Sequence, residues 1–126
     1  MKLRIKGNSL RLRVAPSEVP RLLKTGRIEE TIHFGPQKDS SWTYDLEHAD
    51  LETEISLRHQ PGEVAVLLST PAARAWAGSD QVAIEAILET GQGPLTLLVE
   101  KDFACLDQSD QDNEDTFPNP NSEGPC

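Results

Sequence analysis

Two cysteines and a run of carboxylates near the C-terminus carry the most specific chemistry in this chain. Cys105 and Cys126 supply thiols, and Asp102, Asp107, Asp110, Asp112 and Asp115 lie around or between them. Thiolates suit zinc and carboxylates add hard oxygen donors, so Cys105, Cys126, Asp102 and Asp107 form a candidate set for a divalent metal. The spacing gives this set little support. There is no Cys-x-x-Cys pair, and His33, His48 and His59 are remote in sequence. Asp107 to Asp115 has the acidic density of a calcium loop, but lacks its central glycine and its closing glutamate. The plainer reading is a buried thiol at a strand end and a free thiol at Cys126; a Cys105–Cys126 disulfide is a third arrangement. The expected cofactor is none, with zinc as the alternative.

A second constellation is cationic. Lys2, Arg4, Lys6, Arg11 and Arg13 alternate with Leu3, Ile5, Leu10, Leu12 and Val14, and Gly7-Asn8 separates the two runs. Period two around a Gly-Asn turn predicts a β-hairpin with one aliphatic face and one face of five cations. That charged face is either a solvated outer surface or a site for an anion or an acidic segment. Glu52, Glu54 and Arg58 make a smaller charged row on an expected strand from Leu51 to His59, whose other face is apolar. Charged rows of this kind line the tunnels of some triphosphate-binding enzymes, but the apolar opposite face places this row outside. No nucleophile elbow or other local signature of nucleophilic catalysis occurs. The expectation leans away from an enzyme.

Charge is unevenly distributed. The net charge is −9 over 126 residues. Residues 1–27 hold eight Lys/Arg against one Glu, whereas residues 102–126 hold seven acids and no base. An acidic whole repels phosphates, so nucleic acid is not an expected partner. The charged start lacks an apolar leader core, and no run approaches the roughly 18 apolar residues of a membrane span. The expectation is therefore a cytoplasmic protein with reduced thiols, a monomer or weak homo-oligomer, with a protein partner of unknown kind.

The elements that must position these residues form an α+β fold. The spacing predicts a largely antiparallel sheet of seven to nine strands, strongly curved or barrel-like, with two short helices at about 17–25 and 70–77 covering its openings. Ser17 is the expected cap of the first helix, Gly26 its end, and Pro71 the opening of the second. Leu95 to Leu106 is the most apolar strand candidate and should lie inside the sheet. Residues 1–106 form the domain. Residues 107–126 form an acidic tail in which Phe117 is a lone aromatic within Thr-Phe-Pro-Asn-Pro, as an anchoring residue would be.

The opening Met-Lys-Leu-Arg-Ile-Lys-Gly-Asn-Ser-Leu-Arg-Leu-Arg resembles that of a family of small soluble bacterial proteins of unknown function. The ending, Glu100 to Leu106 followed by Thr116 to Pro120 and a late Cys126, is similar to the same family's ending. The resemblance implies no activity or cofactor. It does imply that the tail belongs with the domain. The functional expectation is a non-catalytic interaction domain whose acidic tail packs on the basic hairpin face, with Phe117 as its anchor. The alternative is a metal-binding protein or metal-dependent hydrolase that uses Cys105 and the tail carboxylates.

Overall fold

A computed structural model describes residues 1–103; Cys105, Asp107, Phe117 and Cys126 lie outside the described residues. The elements are β1 (Lys2–Ile5), β2 (Ser9–Val14), α1 (Glu18–Thr25), β3 (Arg27–His33), β4 (Ser41–Ala49), β5 (Ile55–Gln60), β6 (Glu63–Ser69), α2 (Thr70–Ala77), β7 (Ala83–Glu89) and β8 (Pro94–Lys101). This is an α+β arrangement with two short helices as expected, and its eight described strands fall within the expected seven to nine. Among the described residues no helix is long and apolar enough to cross a membrane.

The strands do not close into a barrel. They form two four-stranded sheets, with orders β1-β2-β8-β7 and β3-β4-β6-β5. Each sheet is two antiparallel hairpins that meet through their second strands, and that meeting is parallel: β2 with β8, and β4 with β6. Alternation fixes which face of a hairpin is buried, but not which other hairpin lies beside it. That is why a single curved sheet and two separate sheets read alike in the sequence. The helices make the difference. α1 carries the chain from β2 in the first sheet to β3 in the second, and α2 carries it back from β6 to β7. The order β1-β2-α1-β3-β4 is repeated as β5-β6-α2-β7-β8, and exchanging the halves maps one sheet onto the other.

Local chemistry explains where elements start and stop. Gly7 has φ of 53°, the left-handed region that the first hairpin turn requires. Gly26 ends α1 at φ 83° and donates its N–H to the Leu22 carbonyl. The expected Ser17 cap is not used: its side chain makes no capping hydrogen bond. Instead the Ala15 carbonyl accepts the Glu18 and Val19 N–H groups, while the Glu18 carboxylate reaches back to the Ala15 N–H at 2.9 Å. With Pro16 next in line, this is the glutamate half of a capping box begun two residues before Ser17. Ser69 caps α2 by accepting from the Ala72 N–H at 3.2 Å. The strand expected from Leu51 starts only at Ile55, because Thr53 and Glu54 are spent on the preceding bend; the Glu54 carbonyl accepts the Ser69 N–H at 2.8 Å.

One core is shared by both sheets and both helices. Leu12, Val14, Leu97 and Val99 come from the first sheet, Leu46, Val66 and Leu68 from the second, and Leu22 and Trp76 from the helices. β8 is paired on both sides, which its apolar composition anticipates. Trp76 is fully buried and donates its indole N–H to the Val82 carbonyl at 3.0 Å. His48 joins the two helices, with one ring nitrogen 3.0 Å from the Thr70 hydroxyl and the other 3.3 Å from the Leu23 carbonyl.

Leu97→Ala removes a fully buried side chain on β8 and should cost about 2–5 kcal/mol in urea unfolding. Ile87→Ala, on the neighbouring strand but mostly exposed, should cost under about 0.5 kcal/mol.

Candidate functional site

The polar face of each sheet turns away from the shared core. On the first sheet it carries the predicted cations, but these are not an unopposed row. Parallel pairing sets Arg13 beside Glu100. Arg11 donates from Nε to Glu100 Oε1 at 2.6 Å and from Nη2 to Oε2 at 3.1 Å, and Arg13 Nε donates to Oε1 at 2.7 Å. Burial would raise the Glu100 pKa, yet the two guanidiniums hold it below the usual glutamate range. Lys2 Nζ lies 3.0 Å from Asp102. Arg4 stands opposite Arg11 in the hairpin register, and Arg4 and Lys6 are exposed. The structure therefore sets the five cations along one edge of the first sheet and places Glu100 and Asp102 beside three of them.

Of the four candidate metal ligands, only Asp102 is described, and its carboxylate is engaged by Lys2. Among the described residues no group of three or more His, Cys, Asp or Glu side chains is placed to hold a metal ion.

The second sheet holds the denser cluster. Thr43, Asp45 and Glu47 alternate along β4 with Trp42, Tyr44 and Leu46, so they share the outer face with Arg27 and Glu29 of β3, Arg58 of β5 and Glu63 of β6. Arg27 Nη2 lies 2.6 Å from Glu29 Oε2, 2.8 Å from Asp45 Oδ2 and 3.2 Å from Glu63 Oε2. Arg58 pairs with Glu47 and, at 3.3 Å, with Glu63. Four carboxylates thus share two guanidiniums. Asp45 is 1% exposed, and its Oδ1 accepts no hydrogen bond from the described residues. Burial pushes its carboxyl up to about 7; Arg27 opposes the shift, and Glu63 and Glu47 add to it. Glu63, whose burial would act upward, is held low chiefly by hydrogen bonds from Gln60 and Arg58. The two neighbouring carboxyls are therefore pushed in opposite directions, the buried Asp45 up and the better-donated Glu63 down.

This cluster is not evident in the sequence. Its one local signal is the polar alternation Thr43-Asp45-Glu47 on a strand whose other face is aromatic and aliphatic. Arg58 was read with Glu52 and Glu54; the late start of β5 detaches those two, and Arg58 turns to Glu47 and Glu63 instead.

A third feature is apolar. A groove of about 300 Å³ runs between the ends of β2 and β8, the start of α1 and the end of α2. Val14, Pro16, Val19, Pro20 and Ala77 line it, and Phe103 stands at its rim, 61% exposed. Lys101 passes beside it, with Nζ bonded to the Ser79 carbonyl at 2.7 Å and 5.9 Å from the centre of the Trp76 ring.

The raised Asp45 pKa sets a testable sign. Between the ordinary aspartate value of about 3.9 and the folded value of about 7, the native chain holds a proton that the unfolded chain has released. The stability this group contributes is present below about pH 4 and is lost as pH rises through about 7. Asp45→Asn keeps a neutral polar group at every pH. It should be destabilised at pH 5 and lose clearly less, or gain, at pH 8, measured by urea unfolding at both values; equal losses would contradict the assignment.

Comparison with curated proteins and with solved structures gives no match. The model of a family of unknown function, DUF7009, matches residues 1–121, a span that takes in both sheets, both helices and most of the tail; the chain belongs to that family.

Proposed function

We propose that this chain is a non-catalytic binding module and that its own C-terminal segment is one of its ligands. In this reading residues 104–126 return to the domain, Phe117 enters the groove at Val14, Val19 and Ala77, and the tail acids lie over the Lys/Arg end of β1 and β2. The observation that carries the reading is the groove. It is apolar, it falls at the lower end of the volumes of small-ligand pockets, about 300–1,000 Å³, and it opens where the described chain ends. Phe117 lies fourteen positions after Phe103, enough when extended to span about 45–50 Å.

Magnitudes assign the roles. Exposed ion pairs contribute about 0–1 kcal/mol each and weaken with salt, so the tail acids bias where the segment lies rather than hold it. A partly buried phenyl ring is worth about 1–2 kcal/mol, and the prolines on either side reduce the entropy lost on ordering. The catalytic alternative gains no support of this kind. The second-sheet cluster has a carboxyl poised near neutrality, but no Ser, Cys or His belongs to it among the described residues.

Phe117→Ala in the full-length chain should lower stability by about 1–2 kcal/mol in urea unfolding and shift the amide resonances of Val19 and Ala77. Raising the salt concentration should loosen the acidic residues more than Phe117. Unchanged stability together with unchanged Val19 and Ala77 resonances would remove the tail as a ligand.

A further inference from the structure

The two sheets end in the edge strands β1, β7, β3 and β5. β5 and β7 come into contact with each other. β1 is four residues long and presents Lys2 and Arg4, the length and charge that keep an edge from pairing. β3 has neither protection. It is seven residues long, holds no Lys or Pro, and is exposed at every position from Glu29 to His33. It also bears bare apolar side chains, Ile32 at 41% and, just past its end, Phe34 at 70% exposure.

The hydrogen-bond phase of β3 follows from its two ends. The Phe34 N–H donates to the Ser40 carbonyl at 2.6 Å, and the Gly26 carbonyl accepts the His48 N–H at 3.1 Å. Both pairs continue the even-numbered positions of the β3–β4 register. Even positions therefore spend their main-chain groups on β4, while Glu29, Thr31 and His33 turn theirs outward. Among the described residues no strand pairs with that side.

We infer that β3 is the interface of a homodimer, in which two copies pair antiparallel about a two-fold axis at Thr31 and join their second sheets edge to edge. A two-fold axis normal to the sheet keeps both faces, so each residue meets one of its own face. Charge then selects the register. An axis at Glu29 sets Glu29 against the partner's Glu29. An axis at Glu30 sets Glu30 against the partner's Glu30, and Arg27 against the partner's His33. Like charges directly opposed are unfavourable. An axis at Ile32 carries Glu29 past the end of the partner's strand. An axis at Thr31 sets Glu29 opposite the partner's His33, whose ring N–H can donate to a carboxylate in either protonation state. It also sets Ile28 opposite the partner's Phe34 on the apolar face. The outward N–H and C=O groups of Glu29, Thr31 and His33 are then all used, in about six hydrogen bonds across the joint. Thr31 Oγ1 already lies 2.9 Å from Thr43 Oγ1, so the axis continues a row of threonines over the polar face. This edge is separate from the groove beside α1, none of whose lining residues belongs to β3.

Two short strands bury little area, so the dimer is expected to be weak and reversible. Sedimentation velocity of the full-length chain from about 10 μM to 1 mM should show monomer passing to dimer. In a sample mixing isotope-labelled and unlabelled chains, a filtered nuclear Overhauser cross-peak should join Glu30 Hα to the partner's Ile32 Hα, the closely spaced pair of this register. Thr31→Pro removes the central outward N–H, a change an edge strand tolerates, and should weaken dimerisation about tenfold or more. His33→Lys should tighten the dimer and His33→Glu weaken it, each by about three- to tenfold, because the pair with Glu29 forms twice per dimer. Both His33 variants change an exposed side chain, so they decide the matter even if Thr31→Pro fails to fold. A chain that stays monomeric over that range, a dimer indifferent to both His33 variants, or a dimer without the Glu30–Ile32 cross-peak would each overturn the inference.

Discussion

Two parallel contacts hold this molecule together: β2 against β8, and β4 against β6. Each joins hairpins that the chain makes far apart, and each places a row of aliphatic side chains on one shared core. Everything else is local. Hairpins can form on their own turns and helices on their own caps, but neither sheet has an interior until its second strands meet. A two-stranded hairpin is marginal in water, so these joints turn four marginal pieces into one domain. The cost is long loop closure, which makes β2–β8 pairing entropically expensive.

The same joints create the polar chemistry. Arg11 and Arg13 stand in the first sixth of the sequence and Glu100 near the end of the domain, and only parallel pairing brings them into hydrogen-bond range. In the second sheet, β4 and β6 bring Asp45 and Glu47 together with Glu63, with β3 and β5 adding one arginine each. The two faces solve opposite problems. On the first, cations outnumber acids and one buried carboxylate is held ionised. On the second, acids outnumber cations and one buried carboxyl is pushed up toward neutrality. Burial acts in the same direction on Glu100 and Asp45; the number of guanidiniums each can claim decides the outcome.

Much of the fold was legible because it is written locally. Alternation gave the hairpins, Pro71 and Gly26 gave the helix limits, and the apolar run in β8 gave its interior place. What failed were features set by long-range pairing or by competition between neighbours. The two-sheet division depends on which hairpins meet, and no residue pattern in one hairpin records that. The Ser17 cap lost to Glu18, which satisfies the Ala15 N–H while the Met1 ammonium, 2.5 Å away, holds its charge. The Asp45 cluster was hidden because its members come from four strands and each alone reads as an exposed surface charge. By contrast the basic hairpin face was visible at once, since its cations lie within residues 2–13, although the acids that temper it were not.

The account's central claim is that the domain binds its own C-terminal segment at the groove beside α1. The most direct measurement is a set of nuclear Overhauser contacts from the Phe117 ring in the intact chain. The account predicts cross-peaks from Phe117 to the methyl groups of Val14, Val19 and Ala77, retained at high salt because the contact is apolar. A Phe117 ring with unperturbed shifts and no contact to those methyls would contradict it.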